Sequence, residues 1–298
     1  MDKISCVITT YKRPVVTLRR AVESIVNQTY SNLEIIIVND APQLIELSEQ
    51  IRIMLSTYTN FPLTYIVHKE NMGACHARNT AIRHATGNYV AFLDDDDEWL
   101  TTKLEKQYKL ICKEDVALVY CDHYEIQTNG DRKLVKEPLA REGLHTNDFE
   151  RLLLENFIGS TSYPLLRLEV VRSVGGFDTG LKSSQDHDLW IRIAEKHTIA
   201  YCNEPLVNYY ITQDSISSNI ENKVQGFEYL LNKYEQHYKE NTSIYNYRLN
   251  YIAYCLLKSR HFKSYLKFTV QAFKVKLFCK YNFMILNKLV KKIKSLIY

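Results

Sequence analysis

The chain has 298 residues, of which 46% are hydrophobic and 24% charged, a composition that indicates a globular protein and excludes a disordered one. Its seven cysteines include no C-x-x-C pair, which argues against a disulfide framework or a zinc site and favours reduced thiols in the cytoplasm. The chain also lacks a run of about 18 apolar residues, so we expect no membrane span. The N-terminal residues lead directly into a strand pattern, so no signal peptide is expected.

The first hundred residues alternate between strand and helix patterns. Predicted strands cover residues 4–8, 33–38, 63–67 and 89–93; predicted helices follow Pro14 and cover 43–58 and 74–85. Strand 33–38 is almost entirely apolar, as in a parallel sheet that is covered on both faces. The alternation therefore predicts an α/β fold with a doubly wound, mostly parallel sheet.

The later part of the chain mixes both patterns before it becomes helical. Helices are predicted at 100–114, 146–155 and 185–196, strands at 116–120 and 161–166, and short strands around the turn at 128–131. Residues 1–220 carry 23 Lys and Arg against 30 Asp and Glu, whereas residues 221–298 carry 15 against 4. We therefore predict a first domain over 1–220 and a basic helical extension over 221–298.

Four consecutive aspartates, Asp94 to Asp97, follow the apolar strand 89–93. In open α/β folds ligands bind at the carboxyl ends of the strands, and carboxylate oxygens there suit Mg²⁺ or Mn²⁺. Two registers are open, the pair Asp94 and Asp96 or the pair Asp95 and Asp97; the first is favoured. The competing interpretation is an acidic turn that caps the following helix.

Two further positions carry functional and structural interpretations side by side. Asp40 ends a strand, where its carboxylate could accept a hydrogen bond from a uracil N–H, or it could form a turn before Pro42. Arg78 lies one turn into the helix that follows Gly73, where it could reach a diphosphate or lie on the surface.

The segment "SQDHDLWIR" places Asp186 and Asp188 at the start of a helix. The helix dipole favours ionised carboxylates there, and one of them could act as a general base toward an attacking hydroxyl. The alternative is an N-cap without any catalytic role.

Taken in order, the segments "VITTYKRP", "EIIIVNDAP", "NMGACHARN", "FLDDDDEW" and "GGFD…SQDHDLWIR" resemble the family-2 glycosyltransferases over about residues 3–217. The resemblance implies the GT-A fold and a metal-dependent enzyme. It would transfer a hexose or N-acetylhexosamine from a nucleotide-sugar, with UDP favoured, to an acceptor hydroxyl with inversion. The acceptor would be a lipid-linked or surface glycan in capsule, lipopolysaccharide or exopolysaccharide assembly.

The resemblance also assigns roles to residues. It implies that the donor contacts Thr9, Tyr11, Asp40, Arg78, Asp94 and Asp95, that Asp96 and Asp94 hold Mn²⁺ or Mg²⁺, and that Asp186 is the catalytic base. Gln185 would lie on the acceptor side, and Trp190 would either line the acceptor side or simply pack. Gln185 stands where many relatives have Glu, and Thr212 where many have a metal-binding His. The chain lacks the Q-x-x-R-W segment of processive synthases, so we expect transfer of a single sugar.

Residues 286–297 combine an apolar stripe with four lysines, and no acidic residue follows Glu240. This pattern predicts an interfacial helix on an anionic membrane, hence a peripheral protein on the inner face of the cell membrane. Packing on the first domain or a homodimer contact would use the same residues, and no nucleic-acid motif is present. Rival functions are a non-catalytic nucleotide-binding homologue that scaffolds a membrane complex and a sugar nucleotidyltransferase; the glycine-free loop "TTYKRP" disfavours the latter.

Overall fold

A computed structural model describes residues 1–113, 115–136, 147–211, 219–279 and 281–282. Its strands are β1 (Ile4–Thr10), β2 (Leu33–Asn39), β3 (Leu63–Val67), β4 (Tyr89–Asp94), β5 (Glu98–Trp99), β6 (Val116–Ile126), β7 (Arg132–Val135), β8 (Leu165–Arg167) and β9 (Thr198–Tyr210). Its helices are α1 (Val15–Val26), α2 (Ile45–Leu55), α3 (Ala74–His84), α4 (Lys103–Ile111), α5 (Asp148–Leu154), α6 (Leu168–Ser173), α7 (Gln185–Ala194), α8 (Ile220–Lys233), α9 (Glu235–Glu240), α10 (Thr242–Lys258) and α11 (Phe262–Val275).

The strands form one sheet in the order β3-β2-β1-β4-β8-β6-β9-β5, with β7 paired to β6. The first four strands are parallel, as the alternation of strand and helix predicts. Beyond β4 the sheet is mixed, because the short β8 runs antiparallel to both β4 and β6, whereas β9 is parallel to β6. The α/β class and the helical C-terminal region are confirmed.

The sequence patterns do not predict β9, and they predict only residues 116–120 of β6, which extends to Ile126. Pro205 lies within β9 opposite Asp122 of β6, and the register shifts on both sides of Asp122. A proline and a bulge interrupt the alternation by which a strand is recognised. Most of the predicted strand at 161–166 is not a strand in the structure, because only Leu165 and Leu166 of that range belong to β8. Residues 160–162 instead donate hydrogen bonds to the aspartates described below.

The described residues form two compact units. The first comprises the described residues within Met1–Pro138, Ile158–Gly180 and Gln185–Gln213 and contains the sheet, whose central strands β1, β2 and β4 are almost completely buried. The second comprises the described residues within Leu139–Phe157, Leu181–Ser184 and Asp214–Tyr298. Within it the buried Tyr238 hydroxyl donates to the Leu153 carbonyl, and α10 packs on α11.

None of the described helices is both long and apolar enough to cross a lipid bilayer. The predicted interfacial helix at 286–297 and the Thr212 position both lie outside the described residues.

Candidate active site

The carboxyl ends of β1 and β4 bring together the two segments that the sequence singles out first. The two strands are parallel and in register, so that Thr9 lies opposite Asp94. The turn that follows β4 contains Asp95 to Asp97, and the loop after β1 contains Tyr11 and Arg13. The sheet thus places an acidic turn beside a basic loop at the edge where α/β folds bind ligands.

The Asp94 carboxylate accepts hydrogen bonds from three donors on two segments, helix α3 and the loop 160–162. Arg78 on α3 donates from Nη2 to Asp94 Oδ1 at 2.9 Å. The hydroxyls of Ser160 and Thr161 donate to Oδ2 at 3.0 Å and to Oδ1 at 2.9 Å. The Asp94 side chain is nevertheless 29% exposed, compared with 9% for the Asp95 side chain and 16% for the Asp96 side chain. It therefore combines a fixed position with access to a ligand.

Arg13 joins the next two aspartates. Its Nε donates to Asp95 Oδ1 at 2.8 Å, and its Nη2 forms an ion pair with Asp96 Oδ2 at 2.8 Å. Thr10 Oγ1 donates to Asp95 Oδ2 at 2.7 Å. Burial raises the pKa of Asp95 to about 6 against the opposing effects of Arg13 and Thr10. Burial also raises the pKa of Asp96, and the negative charge of Asp94 adds to it. Asp94 and Asp96 therefore repel each other across the turn.

Asp97 is 1% exposed and lies beneath the turn. Its Oδ2 accepts from Ser162 Oγ at 2.6 Å, and its Oδ1 accepts from the Tyr210 N–H at 3.2 Å. Ser162 Oγ in turn accepts from the Asp94 N–H at 3.1 Å. Burial raises the pKa of Asp97 well above its usual range, and the charge of Asp94 acts in the same direction. Asp97 thus braces the acidic turn against the loop 160–162 and the end of β9.

Asp40 is 4% exposed and fixes the start of α3. Its Oδ1 lies 2.7 Å from His68 Nδ1 and accepts from the Met72 N–H at 2.9 Å, while Oδ2 accepts from the Gly73 N–H at 2.7 Å. Three of the roughly four acceptor positions of a carboxylate are thus taken. Gly73 has φ 88°, a conformation that favours glycine. Asp40 therefore positions the helix that carries Arg78.

Helix α7 begins at Gln185, and its first turn reaches the same site. Arg78 Nη1 donates to Gln185 Oε1 at 3.0 Å, so one guanidinium joins Gln185 to Asp94. The next residue, Asp186, is partly exposed, and its Oδ1 accepts from the His187 N–H at 2.7 Å. Asp186 therefore lies one residue from a direct partner of the arginine that holds the acidic turn.

Two other residues of α7 have structural contacts. Asp188 is fully buried; its Oδ2 accepts a hydrogen bond from Arg192 Nε at 2.8 Å and forms an ion pair with Arg192 Nη2, also at 2.8 Å. Trp190 is also 0% exposed, and its indole N–H donates to the Gly159 carbonyl at 3.2 Å. Of the two interpretations of Trp190, lining the acceptor side or packing in the core, the complete burial of its indole favours packing. Trp190 packs beneath the loop that carries Ser160 and Thr161.

The remaining predicted donor residues differ in exposure. Tyr11 is 46% exposed, and the Lys12 ammonium lies 4.9 Å from the centre of its ring. Thr9 is partly buried and lies in the strand register beside Asp94. Asp95 is nearly enclosed by Thr10 and Arg13, so the structure brings it to the site as a support for Arg13 and gives it little surface for a donor.

Sequence reasoning missed Arg13 and the hydroxyl run Ser160 to Ser162. Arg13 belongs to the "TTYKRP" segment, and a positive charge three residues after the end of β1 could have indicated a partner for the acidic turn. The hydroxyl run belongs to "GSTS", which reads as a strand edge or turn. No sequence pattern links it to Asp94, because the two segments are more than 60 residues apart in the chain.

The donor set suits a divalent cation that is shared with a ligand. Among the described residues, no cluster of three His, Cys, Asp or Glu side chains is arranged to hold a metal by itself. Mg²⁺ is commonly held by one or two carboxylates together with substrate phosphates and water. Asp94 and Asp96, which are mutually repelling and partly exposed, meet that requirement, because a cation between them would relieve their repulsion.

The fold is that of the GT-A glycosyltransferases. The structure aligns over 100% of this chain and 81% of the other with the mannosyltransferase PcManGT from Pyrobaculum calidifontis, which was solved in complex with GDP-Man and Mn²⁺. The TM-score is 0.65 at 17% sequence identity, a likeness that concerns the fold alone.

Residues 5–175, more than half of the chain, match the model of glycosyl transferase family 2. The chain therefore belongs to glycosyl transferase family 2 and is a glycosyltransferase. It is 28% identical over 236 residues to an uncharacterized glycosyltransferase of Haemophilus influenzae, covering 78% of this chain and 76% of that protein. It is also 28% identical over 233 residues to the Escherichia coli UDP-Glc:alpha-D-GlcNAc-diphosphoundecaprenol beta-1,3-glucosyltransferase WfgD, covering 72% and 86%.

Proposed function

We propose that this glycosyltransferase transfers a single sugar from a UDP-sugar to a hydroxyl of a lipid-linked or surface glycan, with inversion at the anomeric carbon. The observation that carries the proposal is the double contact of Arg78, which holds Asp94 with one nitrogen and Gln185 with the other. A donor diphosphate beside Asp94 and a base at Asp186 would then share one rigid frame. Such positioning can supply a large part of a barrier reduction.

The acidic turn would hold Mn²⁺ or Mg²⁺ through Asp96 and Asp94, with Arg13 and Arg78 keeping both carboxylates in place. When bound, the cation would neutralise charge that develops on the departing diphosphate. The pair Asp94 and Asp96 is preferred over Asp95 and Asp97, because the latter two are nearly or completely buried.

Asp186 would act as the general base. A carboxylate at the start of α7 is kept ionised by the helix dipole and can accept the proton of an acceptor hydroxyl. The oxygen of that hydroxyl forms the new glycosidic bond as the bond to the diphosphate breaks on the opposite face of the sugar. Gln185 keeps a hydrogen bond to Arg78 and carries no charge, so it would orient and not exchange protons.

The nucleoside would lie between the exposed Tyr11, Thr9 and the remaining acceptor position of Asp40. UDP is proposed as the nucleotide because the Escherichia coli relative is named for a UDP-Glc donor. The same name mentions a diphosphoundecaprenol-linked acceptor, which supports a lipid-linked acceptor and a role in bacterial polysaccharide assembly. The protein would then work in the cytoplasm at the inner face of the cell membrane, with the basic segment 286–297 contributing to attachment.

A donor screen tests the proposal. The purified chain with Mn²⁺ is offered UDP-, GDP- and dTDP-sugars, and release of free nucleoside diphosphate is measured with and without EDTA. We expect release from a UDP-sugar that EDTA and Asp96→Ala both abolish. The matched control is Asp131→Ala, which removes an exposed aspartate from the turn between β6 and β7 and should leave the rate unchanged.

The outcomes separate the parts of the proposal. Release from a GDP- or dTDP-sugar alone would overturn the choice of UDP and keep the transferase. Release that persists in EDTA would overturn the metal. Silence across the panel, combined with no thermal shift from any nucleotide, would contradict donor binding by this chain.

A further inference from the structure

We infer that the outer face of helix α11 is a membrane-docking surface that inserts into an anionic lipid interface. The surface, here called the α11 stripe, consists of Phe262, Leu266 and Val270 with Leu277 and Phe278 just beyond the helix. All five are among the exposed large hydrophobic residues of the chain, and Phe278 is 85% exposed. The inference rests on the proposed function only in that a lipid-linked acceptor would lie in the same membrane.

Helix α11 is apolar on two opposite faces. Its buried residues are Ser264, Phe268 and Ala272, which recur every four positions on the side that packs within the second unit. Phe262, Leu266 and Val270 recur at the same interval but two positions earlier, which on an α-helix is a rotation of about 200°. The first face is accounted for by packing against α10, where Asn246 donates to the Ala272 carbonyl at 2.7 Å. The second face is exposed in the part of the chain that the structure describes.

Lysines line one side of the α11 stripe. Lys263, Lys267 and Lys274 are all exposed and fall on the same flank of the helix, about 100° to 140° from Phe262. Lys267 pairs with Glu228, whereas Lys263 and Lys274 have no carboxylate at ion-pair distance within the part of the chain that the structure describes. Lysine stems can lie along an apolar surface while their ammonium groups reach toward phosphates.

The positive charge around the α11 stripe favours an anionic lipid surface as its binding partner. No acidic residue occurs after Glu240, so the whole second half of this unit is basic. Residues 283–298 carry four lysines of their own, and folding that segment onto a lysine-flanked helix would bring like charges together. A second copy of the stripe would meet the same repulsion. An anionic lipid surface is complementary to both the lysines and the apolar side chains, which is the pattern of interfacial helices.

Vesicle sedimentation of the full chain tests the inference. Vesicles of phosphatidylglycerol with phosphatidylcholine are compared with vesicles of phosphatidylcholine alone, at low and high salt. We expect binding to the anionic vesicles that weakens as salt increases. The variant F262S/L266S/V270S should bind at least about tenfold more weakly, since each side chain loses apolar burial. The variant K263Q/K274Q should lose on the order of thirtyfold, at about fivefold per lysine.

Matched controls keep the test specific. Ile45→Ser with Ile53→Ser removes two exposed apolar side chains from α2 in the first unit and should not change vesicle binding. Phe278→Trp adds a reporter to a chain whose own two tryptophans, Trp99 and Trp190, are buried. Its emission should shift to the blue on anionic vesicles, as expected for an indole that leaves water.

Three results would overturn the inference. One is a wild-type chain that does not sediment with anionic vesicles at low salt. Another is undiminished binding by the triple serine variant, which would assign attachment to the segment 283–298. The third is a dimer in solution that the triple serine variant converts to a monomer, which would make the stripe a contact between copies. Nucleoside diphosphate release in the absence of lipid is measured on the same variants, so loss of transferase activity and loss of membrane binding are read separately.

Discussion

Arg78 Nη2 lies 2.9 Å from Asp94 Oδ1, and the same guanidinium donates from Nη1 to Gln185 at 3.0 Å. The three residues come from α3, from the end of β4 and from the start of α7. Arginine can hold two acceptors at once because its donors form a rigid fork, whereas the lysine ammonium acts as a point charge. The arginine therefore couples the acidic turn to the helix that begins with Gln185 and Asp186.

Replacing Arg78 by lysine tests this coupling. We expect Arg78→Lys to keep the fold and lower kcat/KM by about 10- to 100-fold, because one of the two contacts is lost and the acidic turn shifts against α7. Steady-state kinetics and thermal unfolding are measured together. Arg83→Lys, on the exposed side of the same helix, is the control and should behave as wild type. Equal kinetics for both variants would contradict the coupling.

Gln185 allows a test of charge against geometry. Gln185→Glu keeps an oxygen for Arg78, so we expect activity within about threefold of wild type. Gln185→Leu removes the acceptor and should lower kcat/KM by about tenfold or more, with unchanged donor binding. Kinetics with a saturating and a limiting acceptor separate the two effects. If both variants lost activity equally, the amide nitrogen of Gln185 and not its oxygen would be the important group.

Asp186 and Asp188 are two residues apart, and we expect their replacement to have different effects, one on activity and the other on stability. Asp186→Asn should nearly abolish transfer while donor binding and unfolding stay unchanged, because only the proton acceptor is lost. Asp188→Asn should instead lower the free energy of unfolding by about 3 kcal/mol, since it leaves the Arg192 charge without its buried partner. Calorimetric nucleotide titration and denaturant unfolding distinguish the two. Loss of nucleotide binding by Asp186→Asn would remove it from the role of base.

Ser162 links the two ends of the acidic turn. Ser162→Ala should lower the free energy of unfolding by about 1–3 kcal/mol, because Asp97 Oδ2 and the Asp94 N–H both lose a buried partner. Activity should fall with it, since the backbone at Asp94 loses one of the contacts that position the acidic turn. The control is Ser173→Ala. The Ser173 hydroxyl donates to the Val170 carbonyl within the same helical turn. The prediction is contradicted if the two variants unfold alike.

Lys103 provides a prediction about pH. It is completely buried, donates to Gln107 Oε1 at 2.7 Å and lies 4.3 Å from the Trp99 ring, and burial lowers its pKa to about 8 from the usual 10.5. Below pH 8 both states are protonated, and the folded state bears the cost of the buried charge, on the order of 3 kcal/mol. As pH rises from about 8 to about 10.5 the folded state loses its proton first, so this cost disappears.

Lys103→Met should therefore stabilise the protein at pH 7, by about 1–3 kcal/mol after the lost contacts to Gln107 and Trp99 are counted. The difference from wild type should shrink as pH is raised toward 10. Denaturant unfolding at pH 7 and pH 10 measures the difference in free energy of unfolding between Lys103→Met and wild type. Cysteines and tyrosines that also titrate in this range contribute equally to both proteins, so their contribution cancels in the difference. Lys109→Met, exposed on the same helix, should change stability by no more than about 0.5 kcal/mol at either pH. A constant advantage of Lys103→Met across pH would contradict the assignment.

Much of the site could be predicted because its residues lie next to strong strand patterns. Four apolar strands separated by helices predict a parallel sheet, and the polar residues at their carboxyl ends must then meet at one edge. Asp40 and Asp94 were selected as candidates in that way, whereas Arg78 was selected from its place one turn into the helix that follows Gly73. The choice between the two interpretations of Trp190 could not be made from the sequence, since a helix start that carries two aspartates does not indicate which face of the next turn is buried.

The α/β class, the family resemblance and the separation between an acidic first part and a basic second part can be predicted from the amino-acid order alone. These properties follow from local periodicity and charge, which each segment carries without its neighbours. Which aspartates are accessible depends on the folded chain, because Asp94 to Asp97 are chemically identical and differ only in what surrounds them. Arg13, Ser162 and Tyr210 reach the acidic turn from distant segments. Contacts of that kind depend on how the strands pair, and no single stretch of sequence contains that information.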